Sequence, residues 1–170
     1  MQQSILQKLV PLLSIFILII VMTVGTAWYQ TDFSSMNLMM LSMAFFFLVF
    51  GVFKLNNLQG FANAYAMYDV IAMKSRTYAL AYPFIEIGLG ILYLFSIGGI
   101  WRDVVTLIIM SISAYGVWKA LQVQDEIHCA CLGTVFKVPM TKVTLFENLF
   151  MALMALYMVG TYFTMGNMGM

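Results

Sequence analysis

The chain has 170 residues, 63% of them hydrophobic and only 9% charged, with a mean hydropathy of +0.94. A soluble domain of this size keeps its surface wet with about a quarter charged residues, so the solvent for most of this chain is lipid. The net charge of +1 gives nothing for a nucleic acid to hold. No long polar region forms a separate soluble domain, and residues 1–170 read as one integral membrane domain.

A charge at bilayer depth costs at least about 2.5 kcal/mol, so uncharged runs mark the spans. Residues 9–31 carry no charge and predict a first helix over about 9–29. Its apolar run exceeds the usual signal-peptide core of about 7–15 residues. That favours a retained span over a cleaved leader, although Gly25-Thr26-Ala27 would pass as a cleavage site. Residues 33–53 are also uncharged and predict a helix over about 36–54, with Met36, Met39, Met40 and Met43 on one face. Next comes GFANAYAMYDVIAMKSR. Its apolar residues Phe61, Tyr65, Tyr68, Ile71 and Ala72 recur at steps of three and four, which predicts an interfacial amphipathic helix over about 60–76, against membrane lipid.

The third span, about 79–99, contains one charge, Glu86, three residues after Pro83. An intramembrane carboxyl must face protein or a water-filled cavity, and it is a functional candidate by default. A bundle-internal hydrogen bond is the bland alternative. Pro83 removes a helix hydrogen bond and would free a carbonyl nearby. The fourth span runs over about 103–123, with Lys119 snorkelling at its end.

Between this span and the last lies DEIHCACLGTVFKVP, which holds both cysteines and the single histidine: His128, Cys129 and Cys131. A Cys-x-Cys pair sets two soft sulfurs close enough to share a metal or to close a strained, easily reduced disulfide. His128 adds a third ligand, or a base that lowers a thiol pKa. Packing of a loop by two small residues is the plain alternative. The fifth span covers about 145–164, and Thr144-Leu145-Phe146-Glu147 fits a capping box, with Thr144 as N-cap. Met151, Met154 and Met158 share one face of this helix; thioethers can carry Cu(I) but more often pack.

The chain is therefore expected to be all-α, a polytopic bundle of about five spans plus one interfacial helix. With the N-terminus in the cytoplasm, Lys8, Lys54, Lys74, Arg76, Lys119, Lys137 and Lys142 all fall inside. Only Arg102 falls outside, and the positive-inside rule selects this orientation. The cysteine loop is then cytoplasmic and the C-terminus external, in a bacterial inner membrane. A thiol pair in that compartment is normally reduced.

The order of these segments resembles the MauE/DoxX-like redox-associated membrane proteins, over about residues 38–159. The most specific parts are the Cys-x-Cys loop with its following glycine and proline, and the Thr-x-x-Glu-Asn helix start. Members of the MauE type are implicated in disulfide formation in methylamine dehydrogenase, beside a thioredoxin-like partner. By that resemblance Cys129 and Cys131 would be a redox pair, with His128 tuning the thiolate and Glu86 or Glu147 supplying protons. The alternative gives the same three loop residues to Cu(I) or Hg(II), in a transporter or a docking site for a metallochaperone. A non-catalytic partner that holds a thioredoxin-like protein is the third reading. The aromatic-rich helices are compatible with a quinone.

Overall fold

The computed structural model describes residues 5–123 and 142–167, and these residues form six helices. They are α1 (Ile5–Gln30), α2 (Ser35–Leu55), α3 (Leu58–Tyr65), α4 (Arg76–Leu94), α5 (Gly99–Val123) and α6 (Lys142–Asn167). All but the short α3 are long and apolar enough to cross a membrane. The all-α bundle expected from the uncharged runs is the observed one. Lipid cannot satisfy backbone groups, so each span closes its own hydrogen bonds as a helix.

Polar side chains start the helices that sit in the middle of the chain. Ser34 Oγ accepts the Asn37 N–H at the head of α2, and Asn57 Oδ1 accepts the Gly60 N–H at the head of α3. Ser75 Oγ does the same for Tyr78 in α4. Each cap gives an acceptor to one of the N–H donors that a helix start leaves orphaned. The third span begins and ends earlier than its charge pattern suggested. Ser96 (φ 55°), Gly98 (φ 91°) and Gly99 (φ 47°) form a left-handed turn that stops α4 at Leu94. Residues 95–98 therefore form a corner, and Gly99 already opens α5.

The amphipathic segment also differs from its expected bounds of about 60–76. It is helical only over Leu58–Tyr65, because Asp69 captures the backbone beyond. Asp69 Oδ1 accepts the N–H groups of Ile71 and Ala72, each at 2.9 Å, while Oδ2 accepts the Tyr65 hydroxyl at 2.9 Å. A short carboxylate of this kind offers the chain a turn in place of the next helical hydrogen bond. Phe61, Tyr65, Tyr68 and Ala72 are buried in a cluster with Ala79 and Tyr82 of α4 and Val117 and Ala120 of α5. Burial pushes the Tyr65 phenol well above its ordinary pKa, so it stays a neutral donor to Asp69.

α2 packs along α4, α5 along α6, and α1 against α2. The α2–α4 seam is close because it is built on glycines. A Cβ at Gly51 would lie 2.7 Å from Ile87 Cγ1, and one at Gly90 would lie 2.8 Å from Leu48 Cγ. Small residues that let backbones approach are the usual basis of helix association in lipid. The pairs 51/87 and 48/90 show that α2 and α4 run antiparallel.

Candidate functional site

Lys54 stands in the last turn of α2 and Glu86 in the middle of α4. The antiparallel seam brings them together. Lys54 Nζ donates to Glu86 Oε1 at 2.5 Å and to Oε2 at 2.6 Å, with the two residues only 6% and 2% exposed. The rings of Phe61 and Tyr82 lie 5.4 and 5.0 Å from the ammonium, close enough for cation–π attraction. Thus the intramembrane carboxyl does face protein, as its place in an apolar run requires, and an ion pair holds it there.

A small cavity opens beside this pair, about 30 Å³ in volume, which is room for about one water. Its polar lining joins Lys54 and Glu86 to Ser113 of α5 and to Glu147 and Asn148 of α6, with Tyr65, Tyr68 and Tyr82 around them. Asn148 Nδ2 donates to Ser113 Oγ at 3.2 Å, which ties α6 to α5 at this level. Glu147 is 7% exposed, and its Oε1 is buried without a hydrogen bond among the described residues. Leaving such an atom unpaired costs about 1–3 kcal/mol. A residue kept at that cost is a candidate for chemistry.

The expected capping box is not what positions Glu147. α6 already runs from Lys142, so Thr144 lies inside the helix and not at its N-cap. The backbone turns helical two residues before the box could act. Glu147 instead lines the polar cavity inside the bundle.

Glu86 and Ser113 sit near the middle of their helices, while Lys54, Glu147 and Asn148 lie toward one end of the bundle. α2 finishes there, α4 starts there, α5 finishes at Val123 and α6 starts at Lys142. His128, Cys129 and Cys131 lie outside the described residues, in the segment that connects those two helix ends. The sequence therefore attaches the thiols to the same end of the bundle as the Lys54–Glu86 cavity.

A second buried pair sits at the opposite end. Arg102 Nε donates to Asp103 Oδ1 at 3.0 Å, and the guanidinium lies 4.1 Å from the Tyr93 ring centroid. Its Nη1 also reaches the carbonyls of Leu92 and Ile97. These contacts close the C-terminus of α4 and make Arg102 a structural clamp.

The two methionine faces meet. Met43, Met110, Met151, Met154 and Met158 are buried in one cluster, with Met36, Met39 and Met40 packed against it.

The family model for methylamine utilisation protein MauE matches residues 33–160, about three quarters of the chain. The chain belongs to the MauE family. No curated protein and no solved structure matches it. The MauE match begins just before α2 and ends near the C-terminus of α6, so it takes in Lys54, Glu86, Glu147 and the whole cysteine segment.

The sequence singles out Glu86, whereas Lys54, at the end of the second predicted span, enters only the count of cytoplasmic cations. The signal was present. A lone carboxyl within a span needs a counter-charge, and Lys54 is the basic residue in the last turn of the preceding span. Ser113 and Asn148 carry no such signal, because one small polar residue per helix is ordinary.

Proposed function

We propose that this MauE-family membrane protein is a thiol–disulfide exchanger that works through Cys129 and Cys131 and serves a thioredoxin-like partner. The Cys129 thiolate attacks the partner's disulfide and forms a mixed disulfide. Cys131 then displaces the partner as a dithiol, leaving a Cys129–Cys131 bond; one disulfide forms as one is reduced. A cytoplasmic dithiol donor returns the pair to its thiols. His128 favours the thiolate, and Glu147 gives or takes the proton of the leaving sulfur. Glu86 fixes the cavity through Lys54.

The observation that supports this reading is Glu147 Oε1, buried without a hydrogen bond among the described residues, beside a polar cavity and within two turns of the helix start to which the cysteine segment leads. A proton carrier there would serve thiols that must gain and lose protons with each turnover. The reading places the protein in the bacterial inner membrane with the N-terminus and the cysteine loop in the cytoplasm. A redox titration of the purified protein should show a reversible two-electron couple that is lost in Cys129→Ser and in Cys131→Ser. A protein without such a couple at biological potentials overturns the reading. A double-serine variant with full activity would instead make it a non-catalytic docking partner.

A metal role is the second reading, and the convergence of eight methionines on one core favours it. Soft thioethers behind a soft Cys-x-Cys site would suit Cu(I) or Hg(II) received from a metallochaperone. Equilibrium Cu(I) binding that is unchanged in the two serine variants would remove it.

A further inference from the structure

The polar cavity beside Lys54 holds more charge-bearing groups than one ion pair settles. Its lining takes Lys54 from α2, Tyr65 and Tyr68 from α3 and the turn after it, Tyr82 and Glu86 from α4, and Glu147 from α6, while α5 adds the neutral Ser113. Lys54 is the single cation in this lining, and two carboxyls stand against it. Glu86 takes both of the hydrogen bonds that Lys54 Nζ gives to a carboxylate. Glu147 takes none of them, and its Oε1 is buried without a partner among the described residues. The charge count then fixes the proton count. With both carboxyls ionised, the apolar bundle would hold one surplus negative charge, and a buried charge without a counter-charge neutralises by changing its protonation. With both protonated, the ammonium would stand alone at a similar penalty. Neutrality is reached with one ammonium, one carboxylate and one carboxylic acid.

We propose that Glu86 and Glu147 share a single proton across this cavity, each serving as the acid while the other balances Lys54. The geometry observed is the state in which Glu86 is the carboxylate and Glu147 the acid, since the ammonium is bonded to Glu86. The cavity, at about 30 Å³, takes one water. An ammonium has three N–H groups, of which Glu86 uses two, and the Ser113 hydroxyl that accepts from Asn148 keeps its own proton to give. Those donors and the carboxyl oxygens supply the roughly two to four partners that a buried water needs. Transfer through that water balances. The acid proton of Glu147 passes to the water, a proton of the water passes to Glu86, and Lys54 keeps all of its own. Glu147 ends as the carboxylate, Glu86 as the acid, and the cavity stays neutral throughout. Glu86 is thus a second station for the proton as well as the anchor of Lys54. This deepens the proton role given to Glu147 above without depending on the cysteines.

The test is infrared spectroscopy of the full-length protein in phospholipid nanodiscs, with carbon-13 in the side-chain carboxyls of glutamate. The chain has three glutamates, Glu86, Glu126 and Glu147, so an isotope-shifted carboxylic-acid band has few sources. At neutral pH the parent should show that band with the intensity of one acid. In Glu147→Gln it should vanish, because Glu86 is then the sole carboxyl opposite Lys54 and stays ionised. In Glu86→Gln the direct bonds to Lys54 are lost and stability falls, yet Glu147 becomes the sole counter-charge and the band should vanish as well. A proton confined to Glu147 would leave the band of Glu86→Gln at parent intensity, and that result overturns the proposal. A parent with no acid band, or with two acids, overturns it too. If Glu86→Gln does not fold, carbon-13 NMR of the labelled parent decides. As rising pH withdraws the proton, the Glu86 and Glu147 resonances should both move, and movement of Glu147 alone would sink the idea. The same spectra are expected from Cys129→Ser/Cys131→Ser, so a failed redox titration removes the thiol reading and leaves the shared proton standing.

Discussion

At the scale of single residues, the Lys54–Glu86 pair sets the energetics of the site. Desolvating two charges is expensive, and their attraction repays that cost only while both are present and well bonded. Lys54→Met or Glu86→Leu alone should therefore destabilise the bundle by about 3–5 kcal/mol, because each leaves one uncompensated charge in an apolar surround. The double variant Lys54→Met/Glu86→Leu should lose much less. Thermal unfolding of the three variants in one detergent checks this, and a double variant as unstable as the worse single one would show that the pair is not a unit. Asp69 is the other polar hinge at this scale, since one carboxylate takes two backbone N–H groups and the Tyr65 hydroxyl. Asp69→Ala leaves three donors short of a partner, the Tyr65 hydroxyl and the Ala72 N–H in buried positions and the Ile71 N–H in a partly buried one, at about 1–3 kcal/mol for each that water does not reach. Hydrogen exchange at Ile71 and Ala72 should rise in that variant ahead of exchange in α4.

At the scale of elements, the glycines are not interchangeable. A Cβ at Gly116 of α5 would lie 2.7 Å from the Tyr68 carbonyl oxygen and 3.2 Å from Asp69 Cα, so backbone itself would have to move. A Cβ at Gly160 of α6 would meet nothing within 4 Å. Gly116→Ala should lower the unfolding midpoint by the equivalent of about 1–3 kcal/mol through overpacking. Gly160→Ala should leave it unchanged or raise it, since alanine favours helix by up to about 1 kcal/mol; equal midpoints would deny that α5 is seated on the Tyr68–Asp69 turn. The same contrast explains what was legible in the sequence. Five spans could be located because lipid punishes any charge, and a run without charge is visible by inspection. The amphipathic period around Phe61 and Tyr65 was equally plain, but the carboxylate that ends that helix at Tyr65 looked like one more polar residue of its solvent face. The Thr144–Glu147 spacing suggested a cap, yet that pattern cannot register that the backbone is already helical at Lys142. Lys54 was misjudged because pairing across α2 and α4 depends on antiparallel register, which no local pattern records.

At the scale of the whole molecule, the two buried pairs alter how charge should be counted for orientation. The positive-inside rule weighs Lys and Arg in loops and near span ends, and a cation buried against a carboxylate offers little to that sorting. Lys54 is spent on Glu86 and Arg102 on Asp103. The remaining basic residues, Lys8, Lys74, Arg76, Lys119, Lys137 and Lys142, all fall by chain order at the end of the bundle that bears the cysteine segment. Among the described residues, no free cation is left to compete from the other end. The orientation with that end in the cytoplasm should therefore be robust to loss of Arg102 and sensitive to loss of Lys74, Arg76 and Lys119. An impermeant maleimide applied to whole cells should leave Cys129 and Cys131 unlabelled until the inner membrane is permeabilised. Arg102→Leu/Asp103→Leu should give the same pattern, even though the clamp on α4 is gone. Adding three lysines to the α4–α5 corner at residues 96–98, with Lys74, Arg76 and Lys119 changed to glutamine, should make the thiols reactive from outside in a measurable fraction of molecules. Labelling of the parent protein in intact cells would reverse the orientation. The thiols would then face an oxidising compartment, where their resting state is the disulfide and the exchange proposed for them runs in the direction of oxidising its partner.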